Sequence, residues 1–351
     1  MRYTLLGRSG LRVSELCFGT MTFGGAWGWG SPEDVCKEQL ELFFDRGGNF
    51  IDTANRYTDG QSEEILGRLL RGRRDQVVLA TKYTLSTRPG DPNAGGNARK
   101  NMMESVAASL ERLQTEYIDL YWVHAWDMLT PIDEVMRALD DLVGSGRVHY
   151  VGVSDYPAWK VAEANTLAEL RGWSPFVGLQ VEYSLAQRDV ERELVPMARD
   201  LRMGITPWSP LAGGLLTGKY SKEDLEAKEQ LKPGNVPRDR RQMVSSHLTE
   251  RKLAIADTVA EVAKEIGRSP AQIALRWVMD RPGVTSPILG ARTTEQLEDN
   301  LGSLEFKLSA EHKIRLDGAS KIELGFPHDM VASPRIKQIL HGGVEIEPYE
   351  P

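Results

Sequence analysis

Short apolar runs alternate with longer stretches of helical period along nearly the whole chain. The runs fall at residues 15–20, 50–52, 77–81, 118–123, 148–153, 178–181, 204–208 and 285–289, and each predicts a buried strand. Apolar positions recur every three or four residues over 34–46, 62–71, 100–113, 132–145, 157–171, 190–201, 251–266 with 270–280, and 294–301, which predicts helices. In the first of these, Val35, Leu40, Phe43 and Phe44 share one face. Several helices run into glycine, as at Gly47-Gly48 and Gly144-Ser145-Gly146, where a left-handed residue can end a helix. Residues 3–6 and 11–13, with Gly7 and Gly10 between them, predict a small N-terminal β-hairpin.

Eight strands, each followed by helix, predict an α/β fold of the closed parallel (β/α)8 type, a TIM barrel. The competing doubly wound sheet gathers its chemistry at one switch point. Here Asp52, Lys82, His124, Ser154, Gln180, Ser209 and Gly290 stand at the ends of strand after strand, as a ring would have them. The 351 residues suit one barrel domain, with a core over about 15–305 and a tail at 321–351. Connections 24–32, 85–98 and 220–248 exceed the usual length. The last, which holds KPGNVPRDRR, reads equally as an insertion or as a flap over a ligand. The tail either frays or folds back to wall the pocket.

Composition narrows the class of function. Net charge is -7 and no basic block stands out, which argues against nucleic acid and anionic membrane as partners. Cys17 and Cys36 are the two cysteines, without CxxC spacing, and the six histidines form no HxH or HxxxH pair, so no metal site is expected. MRYTLLGRSG lacks a signal-peptide core, and no apolar run reaches about 18 residues. A cytoplasmic setting is expected.

The strand ends carry the chemistry. Asp52 closes one apolar run and Tyr57 follows five residues later; VVLATK ends in Lys82 and YIDLYWVH in His124. Parallel neighbours would bring all four to one mouth. A cation beside a phenol favours its phenolate, and donors aimed at a carbonyl oxygen stabilise the charge it gains as hydride arrives. No side chain carries hydride, so this chemistry needs a cofactor. No GxGxxG follows a strand. Phosphate groups find candidates instead in the loops after the seventh and eighth strands, with Lys219 and Arg292.

The chain resembles the aldo-keto reductases over nearly its whole length, on GTMTFGG, FIDTANRYTDGQSEEILG, LATK, DLYWVH, GRVHYVGVSDYPAW, LQVEYSLAQR, WSPLAGGLLTGKY and GARTTEQLEDNL. The resemblance implies a (β/α)8 barrel that binds NADP(H) in extended form and interconverts small aldehydes or ketones with their alcohols. It implies that Asp52, Tyr57, Lys82 and His124 form the catalytic set, with Tyr57 as general acid. Ser154, Asp155 and Gln180 would hold the nicotinamide carboxamide, and Trp208 would stack on the ring. Thr20, Met21 and Asp52 join the cofactor's contacts. Ser209, Leu211, Gly213 and Lys219 would line the pyrophosphate, and Gly290, Arg292, Gln296, Asp299 and Asn300 the adenosine phosphate end. Trp27, Trp29, Trp126 and Phe326 are candidates to wall the substrate pocket, and aromatic walls suit apolar or aryl carbonyls.

Three positions depart from the family's pattern. Asp155 replaces the usual Asn, Trp208 the more frequent Tyr, and Gly290 a Lys found in many relatives. NADP is the expected cofactor, with NAD(H) left open by Gly290. Two rival readings stand beside this one. Lys82 can serve as the nucleophile of a Schiff-base barrel such as an aldolase. The motifs also resemble the potassium-channel β-subunits, which keep fold and cofactor as regulatory partners.

Overall fold

Side chains along a strand point alternately to its two faces, so each strand of a barrel fills the interior with one set and meets the helices with the other. The computed structural model describes residues 1–229, 248–344 and 346. It begins with an antiparallel hairpin, β1 (Tyr3–Leu5) and β2 (Arg12–Ser14). The ring follows: β3 (Cys17–Gly19), β4 (Phe50–Asp52), β5 (Val78–Tyr83), β6 (Ile118–Val123), β7 (Val148–Ser154), β8 (Phe176–Glu182), β9 (Gly204–Trp208) and β10 (Ile288–Leu289). These pair in parallel in the order β10-β3-β4-β5-β6-β7-β8-β9. At the seam the Ile205 N–H donates to Gly283 O (3.2 Å) and the Thr285 N–H to Ile205 O (2.8 Å), which nearly closes the barrel. The last strand is shorter than the apolar run 285–289 because Pro287 has no N–H to give a ladder.

The interior is filled from below. Phe50, Val78, Ala80, Leu120 and Trp122 pack with Leu6 and Val13 of the hairpin, which plugs the N-terminal end. The Trp122 indole fits only because Gly152 and Gly178 face it; a Cβ there would come within 2.4 and 2.8 Å of the ring. Outside, helices cover the strands. The first, α1 (Glu33–Asp45), buries Cys36, Gln39, Leu40 and Phe43, an i, i+3, i+4, i+7 stripe. Val35 and Phe44, assigned to the inner face by their hydrophobicity, lie at its margins.

Two of the long connections are pinned. In 24–32 the Gly25 and Ala26 N–H groups donate to Gln61 Oε1 (3.0 and 3.2 Å), and the Ser31 N–H to Thr22 O (2.6 Å). In 85–98, Asn97 and Asp127 exchange backbone-to-side-chain bonds of 2.7 and 2.8 Å. Most of connection 220–248, including KPGNVPRDRR, lies outside the described residues. The tail forms short helices, His328–Ala332 and Pro334–Leu340. Arg192 donates to Glu323 O (2.9 Å) and His328 Nε2 bonds Glu193 (2.8 Å), so the tail lies along the outside near the β8 crossover. Among the described residues no helix is long and apolar enough to cross a membrane, and no group of three His, Cys, Asp or Glu could hold a metal ion.

Candidate active site

Strand pairing sets the depth of each polar side chain. Asp52 pairs with Ala80, and Lys82, two residues further along β5, points the same way one layer higher. Lys82 is fully buried. Its ammonium donates to Asp52 Oδ2, to Thr53 O (2.8 Å) and to the Tyr57 phenolic oxygen (3.0 Å). Those three bonds use every proton the ammonium has. Gln180 Nε2 donates to the other Asp52 oxygen (3.0 Å). With Lys82 on its oxygen lone pair, the Tyr57 O–H is left to donate towards the cleft.

Tyr57 sits on a strained turn. Thr58 and Asp59, directly after it, have φ of 45° and 57°, a conformation uncommon for residues other than glycine. The Thr58 hydroxyl donates to Phe23 O (2.6 Å), which ties the turn to the loop that carries Trp27 and Trp29. Thr84, Asp155 and Ser209, each just beyond a strand end, are left-handed too, with φ of 102°, 50° and 49°. Strained backbone thus collects around the C-terminal mouth.

The electrostatics follow from burial. Burial works against the Lys82 ammonium, but Asp52 and Tyr57 outweigh it and hold its pKa above the usual value. Burial raises the Tyr57 phenol; Lys82 opposes this without overcoming it, and Asp52 and Asp155 add to the rise. Tyr57 is therefore protonated at neutral pH. Burial, with Lys82 nearby, pulls His124 down to about 3, so its imidazole is neutral. Its ring stands edge-on to Tyr57 at 6.0 Å between centroids.

A prediction follows for His124. Its imidazole resonances are expected to stay flat between about pH 5 and 9 in an NMR titration, and a midpoint near 6.5 would refute the burial argument. The folded pKa is depressed, so the unfolded chain binds the extra proton more readily. This contribution to stability is complete above about pH 6.5 and is lost as pH falls from there towards about 3.

From this cluster a cleft of about 990 Å³ runs across the mouth to the N-terminus of helix Thr294–Leu301. Its size lies at the upper end for small-molecule and cofactor sites. The inner end is lined by Asp52, Tyr57, His124, Ser154, Asp155, Gln180 and Trp208. Further out come Ser209, Leu211, Gly213 and Lys219, then Gly290, Arg292, Gln296, Asp299 and Asn300. Met21, Trp27 and Trp29 wall one side, with the Trp27 and Trp29 rings 5.6 Å apart and Trp27 edge-on to Tyr57 at 6.5 Å. The arrangement presents a phenolic O–H and a neutral imidazole to the inner cleft, beside an apolar wall and a long polar channel.

Three expected site residues lie elsewhere. Thr20 is buried beneath the floor, its hydroxyl on Asp52 O (3.1 Å) and Ser62 (2.9 Å). Trp126 packs on Tyr156 and Trp159, drawn outward by the loop fixed at Asn97 and Asp127. Phe326 is 83% exposed on the tail and faces no wall of the cleft. Conversely, Arg56, Thr217, Ser269 and Pro270 line the cleft although their sequence signals were local ones. Ser269 and Pro270 begin a helix, Pro270–Met279, and only the ring closure brings that N-terminus against Asp299, which accepts from Ser269 Oγ (2.8 Å) and Gln272 Nε2 (3.0 Å).

The fold and the cleft define a (β/α)8 barrel whose polar side chains meet at one end around a cleft of about 990 Å³. The chain belongs to the aldo/keto reductase family, whose model matches residues 15–321, and it is an oxidoreductase of that family. It is 37% identical to an aryl-alcohol dehydrogenase of Pestalotiopsis microspora over 93% of this chain and 84% of the relative. A norsolorinic acid reductase of Emericella nidulans is 38% identical over 91% and 81%. An aryl-alcohol dehydrogenase [NADP(+)] of Phanerodontia chrysosporium is 37% identical over 95% and 89%. Enzymes of the family act on small carbonyls or alcohols and typically use NAD(P)H.

Proposed function

We propose that this protein interconverts an aryl aldehyde or ketone and its alcohol with NADP(H), Tyr57 acting as general acid in reduction and general base in oxidation. The observation that carries the reading is the 3.0 Å bond from Lys82 Nζ to the Tyr57 oxygen at the inner end of the cleft. In reduction the carbonyl oxygen lies against the Tyr57 O–H and the neutral His124, and the phenol passes it a proton as negative charge grows there. Lys82 steadies the phenolate left behind, and Asp52 steadies Lys82. The Trp27–Trp29 wall favours a flat apolar body on the substrate, and relatives named for aryl alcohols support that choice.

The residues present fit the cofactor. The Ser154 hydroxyl, on the cleft wall and buried, has no hydrogen-bond partner of its own, and such an orphan is what a carboxamide would satisfy. Gly213 and Gly214, with φ of 67° and 97°, bring backbone close to the channel's middle. NADP(H), when bound, supplies or accepts the hydride. Arg292 at the outer end is the group proposed for the 2'-phosphate.

The test is a titration with NADPH and NADH, followed by turnover of benzaldehydes, benzyl alcohols and their aliphatic counterparts. Tight NADPH binding with a clear preference for aryl substrates is expected; no binding of either nucleotide would sink the reading. Arg292→Ala should cut the NADPH-over-NADH preference by roughly tenfold or more, through weaker NADPH binding alone. An unchanged preference would place the phosphate elsewhere. A Schiff base on Lys82 finds no support, because that ammonium is buried, held protonated and saturated with acceptors.

A further inference from the structure

Two of the departures from the family's pattern, at 155 and 208, are bonded to each other. Trp208 Nε1 donates to Asp155 Oδ1 at 3.1 Å. Asp155 follows directly on β7 with φ of 50°, and Trp208 is the last residue of β9. Both line the inner cleft. Among the described residues no other side chain bonds the Asp155 carboxylate, so its second oxygen is open to the cleft. Desolvation holds its pKa above the ordinary carboxylate value, and the indole N–H and the nearby Lys82 oppose this without overcoming it.

The inner cleft has two facing walls. Tyr57 reaches the inner cleft from the β4 and β5 side with Lys82 behind it, and His124 follows β6. The wall across from them is made by Ser154, Asp155, Gln180 and Trp208. Those residues would hold a ring presenting hydride to a carbon whose oxygen faces Tyr57. The ring is neutral in NADPH and carries a unit positive charge in NADP+, the difference being one hydride, two electrons with a proton. An asparagine would treat the two forms alike in charge; a carboxylate does not.

We propose that Asp155, held in place by the Trp208 indole, makes the cleft bind oxidised cofactor in preference to reduced, and so shifts the internal equilibrium on the enzyme towards carbonyl reduction and retention of NADP+. This rests on the cleft being an NADP(H) site. The overall reaction equilibrium is untouched, since no protein can move it. The charge of Asp155 also reaches Tyr57, whose pKa it helps to raise.

The experiment is calorimetric titration of the purified protein with NADP+ and, separately, with NADPH. It compares the unsubstituted chain with Asp155→Asn and Trp208→Phe. Asparagine is isosteric and among the residues best suited to a left-handed backbone, so the fold is expected to persist. Asp155→Asn should raise Kd(NADP+)/Kd(NADPH) on the order of tenfold, the size expected for a carboxylate a few ångströms from a unit charge in a solvent-open cleft. For a two-electron couple that is a rise of about 30 mV in the bound potential. Trp208→Phe keeps an aromatic face and loses the N–H, and should move the ratio the same way by less. If both Kd values change together in Asp155→Asn, or neither does, the proposal is overturned, because a packing role weakens both forms alike. A ratio that moves in Asp155→Asn but not in Trp208→Phe overturns the part given to the indole. Failure of the unsubstituted chain to bind either form would instead overturn the cofactor reading.

Discussion

Tyr57→Phe is expected to lower carbonyl turnover by roughly 10²- to 10⁴-fold, the range spanned by removal of a general acid, while NADPH binds as before. The substitution deletes one oxygen from a half-buried ring and leaves the ring's contact with Trp27 and His124 in place. Lys82 loses one acceptor of three but keeps Asp52 and Thr53 O. The loss should therefore fall on kcat, with little change in Kd for nucleotide or in melting temperature. Single-turnover measurement with saturating NADPH reads the chemical step directly. Retained turnover in that assay would show that some other group supplies the proton.

Lys82→Met should be severe twice over. In chemistry, Tyr57 loses the one neighbour that lowers its pKa, while burial, Asp52 and Asp155 continue to raise it. The phenolate left after proton transfer then has no cation, and turnover should fall at least as far as in Tyr57→Phe. In stability, the change leaves Asp52, 2% exposed, without its cation, with Gln180 still donating to it at 3.0 Å. Breaking a buried pair from one side costs about 3–5 kcal/mol, which denaturant unfolding can measure. Adding Asp52→Asn removes the stranded charge and should return much of that stability without returning turnover. If the double variant regained activity, the ion pair would be a scaffold only.

Much of the barrel was legible because its elements are local. Periodicity located all eight strands and the helices between them, though not the helix Ala310–Ser320 that packs on Glu250–Ile266, and the alternation of the two made a parallel ring the natural closure. Errors came where a neighbour outweighed the local pattern. Pro287 shortened the last strand by removing a donor. The helix Glu33–Asp45 buries Cys36 and Gln39 and leaves Val35 at the margin of its inner face. Thr20 sits next to Met21 in sequence, yet one is buried under Asp52 and the other opens to the cleft. Both follow β3 in a turn closed by the Phe23 N–H on Thr20 O (2.9 Å), and the path of that turn, not strand alternation, decides which of them faces the cleft.

By itself the sequence determined the identity and order of the candidate groups, since an acid, a phenol, an ammonium and an imidazole each end or follow an apolar run within one stretch of chain. Local patterns carry that much because they require only a strand, a turn and the residue types at their ends. The tertiary structure decided which groups touch. It placed the Lys82 ammonium between Asp52 and Tyr57 and put Trp27 and Trp29, not Trp126 or Phe326, on the wall beside the phenol. It also joined Asp155 to Trp208 across fifty-three positions of chain. Such pairings depend on ring closure and strand register, which are set by packing among all eight strands and leave no mark on any one of them.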